Sequence, residues 1–309
     1  MKKVIGIGET ILDILFKDNQ PMKAVPGGSV FNSIISLGRM GADAVLVSEV
    51  GNDRVGDIIV DSLVDSGVDA SHIYRYDDAK SPVSLAFLDK NNDAEYIFHK
   101  GAPTTHLDIE FPKIEAGDIV IYGSYFVLNP LLSNRVKAFL EYARNCGAIL
   151  YYDVNFRKNH AAEKLKLSEA LIENLEYADV VRGSIDDFNV LYGMNDAACV
   201  YKEKIKFYSS NFICTHGGEG VKLFTRDFIA DYAVPAVKVV SSVGAGDNFN
   251  AGVVYGLLAS GVTREELLNL SLDGWDAIIK CGIDFSAHAC TLMDNYIEKS
   301  WAEAYKKLK

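Results

Sequence analysis

The sequence predicts an α/β fold, a three-layer α/β/α sandwich around a mostly parallel sheet, with a smaller β-sheet attached. Three observations predict it. Short β-branched runs alternate with helical patterns along most of the 309 residues, as parallel strands joined by crossover helices require. Those runs are almost continuously apolar, the mark of strands covered on both faces. Two stretches break the rhythm with alternating or extended character. A chain of this length can bury a large core, and with no repeat, low-complexity tract or linker we read residues 1–309 as a single unit.

Taken in order, "KVIGI" (3–7), "AVLVSEV" (44–50), "DIVIY" (118–122), "AILYYDV" (148–154), "DVV" (179–181) and "FICT" (212–215) read as buried strands. Segments near 29–40, 54–66, 131–145, 163–177 and 247–259 read as helices. The helix from Leu131 meets Gly147, a residue suited to leaving it. "TREE" (263–266) is a capping box, Thr263 with Glu266, ahead of "LLNL". Residues 13–25 and 81–100 are the exceptions, with "KNNDAE" (90–95) supplying a turn. They read as antiparallel strands inserted into the α/β body, forming either a lid over one end of the sheet or ordinary edge strands.

Composition excludes several classes. Acidic side chains outnumber basic ones by 42 to 31, a formal net charge of −11. A polyphosphate partner needs a basic surface, so nucleic acid is excluded, although one nucleotide neutralised by a metal and backbone amides is not. Cys146, Cys199, Cys214, Cys281 and Cys290 are odd in number and show no C-x-x-C spacing, which fits reduced thiols. The six histidines include no H-E-x-x-H and no close pair, against a zinc site. "MKKVIGIGET" lacks the apolar core of a signal peptide, and no apolar run approaches a membrane span. The expected location is the cytoplasm.

Four glycine-rich segments are candidate ligand sites. "VIGIGETILD" (4–13) begins like a dinucleotide fingerprint, but Ile11 stands where the third glycine should fall. What remains there is Asp13 near the first strand, a ligand contact or a turn former. In "PGGSVFNSIISLGRMG" (26–41), Gly27 and Gly28 lead into a helix with Asn32 one turn in, where an amide offers a hydroxyl both donor and acceptor. "THGGEGVKLF" (215–224) is a tight hairpin or a loop that passes a phosphate. "SSVGAGDNFNAG" (241–252) is the strongest, since small residues and a helix N-terminus converge N–H groups on an anion. Asp247 in that turn would repel an anion it merely bound. It makes sense as a base that takes a proton from the group attacking the anion; the plain alternative is an acid favoured by the helix dipole.

In this order and spacing the segments resemble the ribokinase-like sugar kinases, the phosphofructokinase-B family. "PGGSVFNSIISLGRMG" resembles its N-terminal signature, "SSVGAGDNFNAG" its C-terminal D-T-x-G-A-G-D signature, and "EVGNDRVGDIIVDSLVDSGVD" (49–69) the text between them. The likeness runs from residue 4 to about residue 260. It implies a parallel sandwich with a β-sheet lid used for homodimerisation, and transfer of the γ-phosphoryl group of ATP, with Mg2+, to a sugar hydroxyl. It implies further that Asp247 is the catalytic base and that Gly244, Ala245 and Gly246 form the anion hole. Asp13, Gly27, Gly28 and Asn32 would be sugar contacts, and Ser184, Thr215, Gly217 and Gly220 nucleotide contacts.

Three departures from the pattern stand out. Ser241-Ser242 replaces the usual Asp-Thr, which counts against a monovalent-cation site. Ser184-x-x-Asp187 replaces N-x-x-E, which leaves Asp187 as an indirect metal contact. The tail "DFSAHACTLMDNYI" (284–297) lacks a glycine-terminated segment. "YYDVNFRKN" (151–159) resembles the D-x-N-x-R of fructokinases and 2-keto-3-deoxygluconate kinases. Arg157 can meet either the γ-phosphate or an acidic sugar in two-pronged fashion, or it can be a structural arginine paired with Asp153 or a neighbouring acid. A fructose-like substrate is therefore expected, with ketodeoxygluconate the alternative. The rival readings are a sugar-binding sensor that has lost catalysis and, more remotely, a nicotinamide-dependent dehydrogenase.

Overall fold

A computed structural model describes residues 2–88 and 94–308. Strand β1 (Lys3–Ile7) is followed by a hairpin, β2 (Ile11–Lys17) and β3 (Gln20–Gly27), then helix α1 (Ser29–Arg39). The chain continues through β4 (Asp43–Gly51), α2 (Arg54–Asp65), β5 (Val68–Asp69) and β6 (Ile73–Tyr76) to a second strand pair, β7 (Val83–Leu88) and β8 (Ala94–His99). Next come β9 (Ile119–Gly123), α3 (Ser133–Asn145), β10 (Ile149–Asp153), α4 (Lys164–Tyr177), β11 (Val180–Ser184), α5 (Ile185–Tyr192) and α6 (Ala197–Val200). The last third holds β12 (Asn211–Thr215), β13 (Val221–Phe224), β14 (Ile229–Tyr232), α7 (Ala245–Ser260), α8 (Arg264–Leu267), α9 (Leu272–Ala289) and α10 (Lys299–Leu308).

The main sheet runs in the order β14-β13-β12-β11-β10-β9-β1-β4-β5, with β6 also on β4. It is parallel except where β13 and β14 add antiparallel edges. Side chains alternate between two apolar layers, as the period of a strand demands. Val4, Ile121, Ile149, Tyr151 and Val180 pack with Phe31 of α1, Phe249 of α7 and Trp275 of α9. Their neighbours Ile5, Val120, Tyr122, Leu150, Tyr152 and Val181 pack on the opposite face with Phe139 of α3 and Leu167 of α4. The expected three-layer sandwich is thus present.

The inserted strands form a separate sheet ordered β3-β2-β7-β8. Its hairpin pairs are antiparallel, but its central pair, β2 with β7, is parallel. This corrects the all-antiparallel expectation. The two pairs belong to different excursions from the body and leave it in the same direction, so the strands that meet are the two outgoing ones. Asp18 and Asn19 make the first turn with φ of 51° and 59°, the left-handed pair a tight hairpin needs. The second expected turn, at 90–95, lies mostly outside the described residues.

Other differences concern helices. The Thr263–Glu266 capping box forms, but it opens a single turn, α8. The helix expected from residue 247 begins at Ala245, so Asp247 lies within its first turn. The long α9 was not foreseen; it packs along α7, and no glycine-rich turn or repeating pattern marks it. Among the described residues no helix is long and apolar enough to cross a membrane.

Candidate functional site

Two helix starts meet at the ends of the central strands. Gly28 caps α1 with φ 128°, and a Cβ there would lie 2.2 Å from the Glu9 carbonyl oxygen, so no larger residue fits. Gly244 caps α7 with φ 77°, and its missing Cβ would lie 2.4 Å from the Asn295 carbonyl oxygen. Of the three expected anion-hole amides, Ala245 donates inward to Ser242 O at 3.2 Å. The N–H groups of Gly244 and Gly246 make no hydrogen bond among the described residues and stand at the positive end of α7. Ser33 Oγ donates to the Asp247 carbonyl at 2.8 Å and Ser36 Oγ to Asn248 Oδ1 at 2.6 Å, which ties α1 to α7.

Asp247 is buried in that first turn. Asn32 Nδ2 donates to its Oδ2 at 2.7 Å and Ser29 Oγ to its Oδ1 at 2.9 Å. Burial pushes its carboxyl up; Asn32, the Arg157 charge and Ser29 pull it back, while the Asp153 charge adds to the rise. A carboxylate so placed is poised to accept a proton.

Beside it, a Cβ on Gly27 would lie 2.8 Å from Asp13 Oδ2, 3.4 Å from Asn295 Nδ2 and 3.8 Å from Asn32 Oδ1. The bare Cα of Gly27 therefore lets three polar groups converge. Asn32 Oδ1 is buried with no partner among the described residues, an acceptor left for a ligand. Asp13 accepts from Ser84 Oγ of β7, and burial pushes its carboxyl up to about 6 against that hydrogen bond, with Glu9 adding to the rise. Tyr96 of β8 lies in the fields of Asp13, Arg157 and Asp247, and burial and those acids push its phenol up to about 12.

Beneath the turn lies a buried ion pair that the sequence reading missed. Strand parity puts Asp153, Arg182 and Thr215 on the α7 side of three neighbouring strands. Arg182 Nη1 donates to Asp153 Oδ1 at 3.0 Å and its Nη2 to Thr215 Oγ1 at 2.7 Å. A Cβ on Gly246 would lie 3.1 Å from Arg182 Nη2, so the guanidinium touches the anion-hole turn. Arg182 Nε is buried without a partner among the described residues. Burial would drive this guanidinium down, but Asp153, Tyr151 and Asp187 hold it above its ordinary value.

Asp153 therefore pairs with Arg182, not with Arg157, and among the described residues no other acid pairs with Arg157, which corrects the structural alternative considered for it. Arg157 lies two residues after Asn155, whose φ is 36°, and is exposed with its charge felt at Asp247. Ser184 and Asp187 form the capping box of α5, with Asp187 Oδ2 accepting from Ser184 N at 2.7 Å. Burial raises the Asp187 carboxyl and Arg182 lowers it. The S-x-x-D spacing carried that capping signal. Thr215 ends β12, and the loop 217–219 follows it, with no atom of the described residues within 4 Å of a Cβ on Gly217 or Gly218. That face of the loop is open. Gly220 instead backs onto the Tyr232 carbonyl.

The structure brings Asp13, Gly27, Asn32 and Asp247 together, with Gly246 and Thr215 joined to them through Arg182. Asn295, Ser29 and Tyr96 complete the group, and none was picked out from sequence. Asn295 belongs to the tail that lacks the expected glycine segment. Among the described residues no group of three or more His, Cys, Asp or Glu side chains gathers to hold a metal.

Comparison with known proteins gives a consistent picture. The pattern of the pfkB family carbohydrate kinases matches residues 1–272. A fructokinase of Escherichia coli is 26% identical over 275 residues, covering 85% of this chain and 87% of that one. Among solved structures, a fructokinase from Xylella fastidiosa with bound ATP superposes with a TM-score of 0.83 at 21% identity over 99% of each chain. A Vibrio cholerae O395 fructokinase in its fructose-, ADP- and calcium-bound form gives 0.81 at 21% identity, again over 99% of each. At this identity the structural likeness speaks for the fold.

Proposed function

The chain belongs to the pfkB family of carbohydrate kinases, and on that premise we propose a fructose-like sugar as acceptor of the phosphoryl group it takes from ATP. One observation carries the reading: the buried Asp247 carboxylate sits between two free glycine amides at a helix N-terminus and the polar cluster of Asp13, Asn32 and Asn295. The sugar would lie against Asp13, Asn32 and Asn295, with the hydroxyl to be phosphorylated toward Asp247. That carboxylate takes the hydroxyl proton, the oxygen attacks the γ-phosphorus, and the bond to the β-phosphate oxygen breaks to release ADP. Charge on the moving phosphoryl group meets the Gly244 and Gly246 amides and the α7 dipole, with Arg182 behind them.

The residues present fit a nucleotide. The unpartnered Arg182 Nε, the open Gly217-Gly218 surface and the exposed Val237 and Val239 (36% and 59%) lie on the segments flanking the anion hole. Magnesium would be carried chiefly by the phosphates, with Asp187 behind Ser184 as an indirect contact, and when bound it supplies charge neutralisation. Fructose is favoured by the E. coli fructokinase relative, whereas Asp153-x-Asn155-x-Arg157 fits fructose and ketodeoxygluconate alike. A sugar acid is favoured by the exposed, cationic Arg157, for which no ion-pair partner appears among the described residues. The small sheet, which brings Asp13, Ser84 and Tyr96 to the site, would act as a lid. Its exposed Met22, Ile97 and Phe98 support homodimerisation through it.

The test is ADP release with saturating magnesium over fructose, ketodeoxygluconate, ribose and adenosine, with and without potassium. Fructose-dependent release is expected. Release with ketodeoxygluconate alone would move the assignment to a sugar-acid kinase, and sugar-dependent thermal stabilisation without any release would mean a binder. A second result follows from Asp13. Ionised, its carboxylate accepts from the sugar far more strongly than the neutral acid does, and burial pushes it up to about 6. Sugar affinity is lost as pH falls through that value, so the sugar Kd rises about tenfold between about pH 7 and pH 5. Calorimetric titration across that range checks it; a flat Kd would remove Asp13 from the contact.

A further inference from the structure

Ser29 Oγ lies 2.9 Å from Asp247 Oδ1 and 3.2 Å from Asp153 Oδ2, so one hydroxyl bridges two carboxylates that no other group among the described residues joins directly. A serine hydroxyl has a single proton to give. While both acids are ionised it can satisfy only one of them, and the shorter distance is to Asp247. The far end of the bridge is fixed, because Arg182 Nη1 holds Asp153 Oδ1 while its Nη2 is anchored on Thr215 Oγ1. The near end is fixed as well: Gly28 sets the first turn of α1, and the Ser33 and Ser36 hydrogen bonds lock α1 onto α7.

Resting on the kinase reading above, we propose that Ser29 is a positioning residue that couples Asp247 to the buried Asp153–Arg182 pair and accommodates the proton Asp247 removes from the sugar. Before reaction, Ser29 donates to Asp247 and supports it as a carboxylate. Once the acceptor O–H proton has moved to Asp247, the new carboxylic acid donates to Ser29 Oγ, and the Ser29 proton turns to Asp153 Oδ2. The chain gains one proton, the sugar's, which stays on Asp247, and the bridge goes from one hydrogen bond to two as Asp153 Oδ2 receives the Ser29 proton. The bridge is fully satisfied only after proton abstraction, so it favours the transition state over the ground state. Asp153 is the right terminus because Arg182 holds its Oδ1 and leaves Oδ2 facing Ser29.

The experiment measures the single-turnover rate of sugar phosphorylation and the sugar Kd for the wild type, Ser29→Ala, Ser29→Thr, Asp153→Asn and the Ser29→Ala, Asp153→Asn double variant. Alanine suits the first turn of a helix, and thermal unfolding checks that each protein is folded. Ser29→Ala is expected to slow transfer about tenfold, the scale of a hydrogen bond to a charged group, with Kd within about twofold of wild type. Ser29→Thr, which keeps the hydroxyl, restores most of the rate. The double variant is no slower than the worse single variant, because both changes cut one path. An unchanged rate in Ser29→Ala, a loss confined to Kd, or rate losses that multiply would each overturn the coupling. A wild type that phosphorylates no sugar would instead overturn the kinase reading, and the proton step with it.

Discussion

With Asp247 replaced by asparagine, the protein folds and binds sugar and nucleotide but releases ADP at least about 10²-fold more slowly, the usual scale for loss of a general base. Folding survives because the amide has the carboxylate's shape and is neutral, at a site where burial already penalises the charge. An asparagine oxygen can still accept from Ser29 or Asn32, so about one hydrogen bond is lost, worth roughly 1 kcal/mol. Transfer fails for a different reason: an amide cannot take the hydroxyl proton, and the attacking oxygen stays a poor nucleophile. Coupled ADP release and calorimetric sugar binding separate the two effects. A variant that binds sugar normally and turns over within about threefold of wild type would show that the base lies elsewhere.

What the sequence disclosed about the site follows how local each part is. Gly27, Gly28 and Asn32 are legible because a helix start that needs a φ of 128° needs glycine, and the amide falls one turn later. Asp247 is legible because an acid in an anion-holding turn asks for a reason. Arg182, by contrast, sits in "VVRGS", a strand whose arginine looks like an edge charge until the sheet order is known. Only the order β12-β11-β10 and the shared parity of Asp153, Arg182 and Thr215 bring it under Gly246. Asn295 reaches Gly244 from the far end of the chain, past α9, and no local pattern points there. The fold class was readable for a related reason. Apolar runs and helix periods are local, whereas the parallel β2–β7 pairing depends on how two distant excursions meet.

Replacing Arg182 by methionine is expected to cost about 3–5 kcal/mol of stability, the scale for removing one partner of a buried ion pair. The side chains of Arg182 and Asp153 are 8% and 1% exposed, so neither charge finds water when the other is gone. Methionine fills similar space but leaves Asp153 Oδ1 without its guanidinium and Thr215 Oγ1 without its donor. Urea unfolding measures this loss, and adding Asp153→Asn should recover a large part of it by removing the stranded charge. Phosphorylation should not recover with it. The second substitution restores neutrality beneath α7 but not the positive charge against Gly246, so stability and transfer respond differently to the same pair of changes. If Arg182→Met unfolds at the wild-type urea midpoint, the guanidinium is not the buried counter-charge these distances imply.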